Sequence, residues 1–178
     1  METELITAYI GLGSNLGDRS GNLLLAVRSL MEASFHVNRL SAIYETEPVD
    51  IESTGDFLNM VAEVYVRNVI PSQMMARLLR IEYLLGRRDK SLKKPRTVDL
   101  DILMFGSHQM DTPFLTLPHP RMHLRRFVLT PLNEIAPNLV HPILHKSVGE
   151  LLAEVDDHSQ VVRWNPNSPH EFNLALGR

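Results

Sequence analysis

The stretch Pro95-Arg96-Thr97-Val98-Asp99-Leu100-Asp101-Ile102-Leu103-Met104-Phe105-Gly106 sets the frame for the rest of the chain. Val98, Leu100, Ile102 and Met104 alternate with Asp99, Asp101 and Leu103, which predicts a strand that stops at Gly106. Residues two apart on a strand point the same way, so Asp99 and Asp101 share a face. Two carboxylates on one patch repel, a proton or a cation relieves the repulsion, and an all-oxygen site suits Mg²⁺. Positions 87–96 read Arg-Arg-Asp-Lys-Ser-Leu-Lys-Lys-Pro-Arg, six basic residues in ten. An acidic strand beside a basic loop points to a polyphosphate held by metal on one side and by cations on the other. The plainer reading of the same residues is an edge strand with solvated acids after a solvated loop.

Composition bounds what surrounds this stretch. The chain has 178 residues, 44% of them hydrophobic, enough for one core and one domain. A single domain over 1–178 is expected, with its core at about 5–155 and a polar tail at 156–178. The formal net charge of -3 argues against a general nucleic-acid binder, which would carry a basic excess. The absence of Cys excludes disulfides, thiolate metal sites and Cys nucleophiles. The start, Met-Glu-Thr-Glu-Leu, is acidic and lacks the features of a signal peptide, and no apolar run approaches the ~20 residues of a membrane helix. A cytoplasmic protein with neither nucleic acid nor membrane as partner is expected, its oligomeric state left open.

Working outward, 5–12 predicts a buried first strand. In Gly11-Leu12-Gly13-Ser14-Asn15-Leu16-Gly17-Asp18 the third Gly falls one residue late for a dinucleotide fingerprint. The segment reads instead as a tight turn feeding a helix capped by Asp18, with Leu23, Ala26, Val27 and Leu30 as its buried stripe. A second strand is predicted over 37–44, broken by Glu45-Thr46-Glu47-Pro48-Val49-Asp50. A third, over 57–66, puts Leu58, Met60, Ala62, Val64 and Val66 on one face and Phe57, Asn59, Val61, Glu63 and Tyr65 on the other. Phe57 and Asn59 thus offer an aromatic platform beside an amide that donates and accepts. A second helix is predicted over 71–85, with Pro71 at its start, Gly86 at its stop and Met74, Leu78, Ile81 and Leu85 as its stripe. Strand-like pieces lie between His108 and Leu117. The prolines around His119 make a stiff segment that can hold a side chain in place. Short helices at 128–135 and 147–155 follow. This order predicts an α+β, ferredoxin-like fold: an antiparallel sheet with two helices on one face.

At this point several pieces line up. Ala8-Tyr9-Ile10-Gly11-Leu12-Gly13-Ser14-Asn15-Leu16-Gly17, Tyr44-Glu45-Thr46-Glu47-Pro48, Phe57-Leu58-Asn59, Glu82, the run from Pro95 to Leu103 and Leu117-Pro118-His119-Pro120 occur in one order. Together they resemble the 6-hydroxymethyl-7,8-dihydropterin pyrophosphokinase family over about residues 5–155. The resemblance implies transfer of pyrophosphate from ATP to the hydroxymethyl group of the dihydropterin, releasing AMP, in folate synthesis. It implies two Mg²⁺ ions held by Asp99 and Asp101, with Arg87 and Arg96 sharing the catalytic work. It implies an ATP site of Glu82, Arg87, Arg96, Leu115, Thr116, His119 and Arg125. It further implies a pterin site of Thr46, Pro48, Val49, Phe57, Asn59 and Phe127, the ring lying between the two Phe and read at its edge by Asn59. Two departures stand in the basic loop: Lys94 replaces a Gly of most relatives, and Lys93 a Trp of many.

Two other classes compete. A Mg²⁺-dependent nucleotidyl transferase also uses a Gly-Ser turn and an Asp-x-Asp strand, but keeps them close, whereas Ser14 and Asp99 are far apart here. A ferredoxin-like RNA-binding module would use the basic loop, yet such sheets display aromatics, and this chain has 6% aromatics and acids where RNA would lie.

Overall fold

A largely apolar run over 57–66, interrupted by Asn59 and Glu63, produces the longest strand of a sheet that organises the rest. The computed structural model describes residues 4–46, 56–86 and 97–167. In chain order its elements are β1 (Leu5–Ser14), α1 (Arg19–Glu32), β2 (His36–Leu40), β3 (Tyr44–Thr46), β4 (Phe57–Arg67) and α2 (Pro71–Leu84). Then come β5 (Asp99–Phe105), β6 (Met110–Asp111), β7 (Thr116–Leu117), a single 3₁₀ turn at Met122–Leu124, α3 (Arg126–Ile135), α4 (Val148–Glu154) and β8 (Val161–Arg163). The main sheet has the order β5-β1-β4-β3-β8, with β2 also paired to β4, and every pairing is antiparallel. β6 and β7 form a separate hairpin.

The first face of the sheet carries the larger core. Ala8, Ile10 and Leu12 of β1, Leu58 to Val66 at alternate positions of β4, and Leu100 and Ile102 of β5 bury against Leu23, Ala26, Val27 and Leu30 of α1 and Met74, Leu78 and Ile81 of α2. The predicted helical stripes are therefore the buried ones, except that Leu85 is only partly covered. Asp18 caps α1, its carboxylate accepting the Gly21 N–H at 3.0 Å.

The expected antiparallel α+β sheet is present, but helices cover both of its faces. Tyr9, Val61, Leu103 and Met104 on the second face bury against Val128, Leu129, Leu132 and Ile135 of α3 and Val148 and Leu151 of α4. The cause is local. Between Tyr9↔Met104 and Ile10↔Ile102 the ladder slips, so Leu103 is an extra residue. Leu103 keeps the face that alternation gives it, while this β-bulge turns Met104 to the second face and Phe105 back to the first, where strict alternation had placed Met104 with Leu100.

Three other expectations are revised. Gly11 and Gly13 lie inside β1 rather than in a turn; the turn falls at Gly17, whose φ is +70°. The predicted strand over 37–44 splits into β2 and β3, because buried Ser41 breaks the ladder and its Oγ accepts the Val61 N–H at 2.9 Å. β3 then continues through Glu45 and Thr46, where a break was predicted.

One acid is buried on the second face. Glu63 accepts from the Tyr9 hydroxyl at 2.9 Å, from Arg39 Nε at 3.2 Å and from the Asn38 amide. Arg39 also donates to the Ile135 carbonyl at 3.0 Å, tying the end of α3 to the sheet. Burial pushes the Glu63 carboxyl up, but the Asn38 and Tyr9 hydrogen bonds and the Arg39 charge outweigh it and hold it below the usual range. Among the described residues no helix is long and apolar enough to cross a membrane.

Candidate active site

The site follows from the register of four strands. Asp99 of β5 pairs with Gly13 of β1, Gly13 with Asn59 of β4, and Asn59 with Tyr44 of β3. In the next row Asp101 pairs with Gly11, and Gly11 with Val61. Phe57 pairs with Thr46 on the other side of Asn59. Directly paired residues of an antiparallel ladder share a face, so Asp99, Asp101, Asn59, Phe57 and Thr46 all look out on the second face. The acids and the amide stand two strands apart, roughly 10 Å at ordinary strand spacing. Between them β1 contributes only Gly11 and Gly13, with the Leu103 side chain packed against Gly11.

Gly13 is required by its neighbours. A Cβ there would lie 3.0 Å from the Asn59 Oδ1 and 3.7 Å from the Phe57 ring. Asn59 is buried, and its Nδ2 donates to the buried Thr46 Oγ1 at 2.8 Å, so its amide orientation is set before any ligand arrives. Reading these glycines as a turn missed this role; two glycines at strand spacing are themselves the signal of a close approach to the backbone.

The acidic strand is supported from its edge. β5 is the outermost strand on its side, and the Glu82 carboxylate, 2% exposed, accepts the Leu100 N–H at 2.6 Å. Leu100 is the residue between the two acids. At the end of α2, a Cβ on Gly86 would sit 3.3 Å from Thr97 Oγ1, so the described residues that flank the basic loop meet beside Asp99. Arg87, Arg96, Pro48 and Val49 lie outside the described residues.

Other predicted residues arrive from the segment that follows β5. The His119 N–H donates to the Leu103 carbonyl at 2.9 Å, and its Nδ1 accepts the Arg121 N–H at 3.2 Å. The neutral ring thus carries its proton on Nε2, which suits a donor to phosphate. Leu115 offers less than expected. Its N–H goes to Thr112 Oγ1 at 3.0 Å and its carbonyl accepts both the N–H and the hydroxyl of Thr112. Its backbone is therefore engaged within its own turn. Thr116 Oγ1 donates to Asp111 at 3.2 Å. Thr116 and His119, with His123 and His141, line a cleft of about 480 Å³ beside the β6·β7 hairpin. Phe127, in the first turn of α3, packs against the second-face core, with the Arg125 guanidinium 5.5 Å from its ring centre.

The donor set fits a hard cation that brings most of its own ligands. No cluster of three or more His, Cys, Asp or Glu able to cage a metal occurs among the described residues. Asp99 and Asp101 supply two carboxylates on one face, which is what Mg²⁺ uses when waters and phosphate oxygens complete its shell.

A family model of 7,8-dihydro-6-hydroxymethylpterin-pyrophosphokinase (HPPK) matches residues 9–137. The chain belongs to the HPPK family. It is 35% identical over 150 residues to the HPPK of Aquifex aeolicus, covering 84% of this chain and 92% of that one. It is 46% identical over 129 residues to the HPPK of Bacillus subtilis, covering 72% and 77%. Among solved structures, the wild-type HPPK-DHPS of Plasmodium falciparum with pteroate superposes with a TM-score of 0.70 at 15% identity. That match covers 86% of this chain, which spans 45% of the Plasmodium chain, and it bears on the fold alone. As an HPPK the chain is an ATP-dependent pyrophosphokinase acting on hydroxymethyldihydropterin in folate synthesis, and neither the nucleotidyl-transferase nor the RNA-binding reading is favoured.

Proposed function

We propose that pyrophosphoryl transfer takes place over the glycine floor of β1, with the triphosphate on the Asp99/Asp101 side and the pterin on the Asn59 side. The observation that carries this is the pair of rows that set Asp99 and Asp101, Gly13 and Gly11, and Asn59 side by side on one face. Asp99 and Asp101 would hold two Mg²⁺ ions, which when bound neutralise charge on the phosphates and align nucleophile and leaving group. Arg87, Arg96, His119 and Arg125 are assigned to the phosphates of ATP, where the guanidinium fork matches phosphate oxygens. Glu82, Leu115 and Thr116 are assigned to the adenosine end. Thr46, Pro48, Val49, Phe57, Asn59 and Phe127 are assigned to the pterin. Asn59, oriented by Thr46, presents its Oδ1 to an N–H on the ring edge, while Phe57 and Phe127 offer rings to its faces.

The pterin hydroxymethyl oxygen bonds to the β-phosphorus as the bond from that phosphorus to the α–β bridging oxygen breaks. The products are the pterin pyrophosphate, AMP and the hydroxyl proton. Holding both substrates on one rigid sheet converts a two-body encounter into a positioned one. We assign this activity to the cytoplasm. The test is release of AMP from ATP, Mg²⁺ and 6-hydroxymethyl-7,8-dihydropterin. Asn59→Ala should raise the KM for pterin far more than that for ATP. Release of pyrophosphate instead of AMP, or equal loss of both substrates in Asn59→Ala, refutes the assignment.

A further inference from the structure

The segment after α4 touches both walls of this site. At its start the Asp157 carboxylate accepts the Arg126 N–H at 2.8 Å and the Ser159 N–H at 2.9 Å. Arg126 is the first residue of α3, whose own N-cap, Arg125, makes no side-chain cap bond. Asp157 therefore caps α3 from a distant part of the chain, at the turn that carries Arg125 and Phe127. Four residues later β8 lies antiparallel on β3, Val161 opposite Thr46 and Arg163 opposite Tyr44. The Trp164 N–H donates to the Ile43 carbonyl at 2.9 Å, and its side chain packs against the first-face core. Without β8, β3 would be an edge of three residues. With it, the backbone that holds Thr46 is paired on both sides, and Thr46 in turn orients Asn59. Glu134 of α3 adds a further tie, accepting from the Tyr44 hydroxyl at 2.7 Å and the Ala42 N–H at 3.1 Å.

We infer that residues 157–164 form a strap that sets the gap between the Phe127 wall and the Thr46–Asn59 wall, making Asp157 and the β8 backbone positioning elements for the pterin. The inference rests on the pterin assignment proposed above. A flat ring stacked on two sides is sensitive to this gap, since an opening of about 0.5–1 Å forfeits a quarter to a half of each contact. Of the described residues assigned to the triphosphate, on the β5 side of the floor, Arg125 alone sits beside the turn that Asp157 caps, and β8 pairs with none of them.

The test uses the full chain with Asp157→Ala, which removes the cap, and Val162→Pro, which removes a ladder donor. Trp164 and Ile43 are a hydrogen-bonded pair, so Val162 and Glu45 are the next such pair, and the Val162 side chain is half exposed. Each variant should raise the pterin KM about tenfold, and weaken pterin binding equally in the presence of Mg²⁺ and a non-hydrolysable ATP analogue, while in Val162→Pro, which leaves the Arg125 turn capped, the ATP KM stays within about twofold. Asp157→Asn, which keeps one accepting oxygen, should recover much of the loss. With an active wild type, pterin constants that move in neither variant, or ATP and pterin constants that rise together in Val162→Pro, overturn the strap. A wild type that makes no AMP overturns the proposed function with it.

Discussion

Gly13 lies directly opposite Asn59 in the β1·β4 ladder, and a single added methyl group would stand 3.0 Å from the Asn59 Oδ1. Asn59 has little room to retreat, being buried and bound to Thr46. Gly13→Ala should therefore destabilise the fold by about 1–2 kcal/mol through overpacking and raise the pterin KM about tenfold. Chemical denaturation and steady-state kinetics on the same variant check both parts; an unchanged pterin KM would show that Asn59 does not read the ring.

Asp99 and Asp101 project from one face of an edge strand whose core neighbours, Leu100 and Ile102, point the other way. Asp101→Asn should lower kcat about a thousandfold, roughly 4 kcal/mol of lost transition-state stabilisation. The melting temperature should move by no more than about 3 °C, as for a substitution outside the core. Chelation should abolish wild-type activity and added Mg²⁺ restore it.

Glu82 supports those acids through the N–H of the residue between them. Glu82→Ala leaves that buried donor without this acceptor, a loss of about 1–3 kcal/mol, or roughly 3–10 °C in melting temperature for a chain of this size. Glu82→Gln keeps an accepting oxygen and should lose less. Thermal melts, with a Mg²⁺ titration of activity to register any loosening of Asp99 and Asp101, separate the two.

His141 predicts an acid-side weakness in the cleft it shares with Thr116 and His119. It is 4% exposed, its Nδ1 accepts the N–H groups of Ile143 and Leu144, and its ring meets that of His123 edge-on. Burial, then the charges of His123 and His145, push its pKa below the ordinary histidine value. The unfolded chain then binds a proton more readily than the folded one. This contribution to stability is fully present above the ordinary value near 6.5, and is lost as pH falls below it toward the lowered folded value. His141→Asn, which keeps an acceptor but does not titrate, should flatten the fall in denaturation midpoint between about pH 7 and pH 5.

Much of this molecule was written locally. The period of two in β4, the stripes of α1 and α2, the Asp18 cap and the shared face of Asp99 and Asp101 depend on residues within a few positions of one another, so the sequence alone determined them, and its motifs named the family. The tertiary structure alone decided that Gly11 and Gly13 form a floor between the acids and Asn59, that Glu82 grips β5, that α3 and α4 cover the second face, and that Asp157 caps a helix begun at Arg126. Each of these depends on strand register, a bulge or a contact between distant segments, and no local periodicity encodes which of several apolar strands becomes whose neighbour.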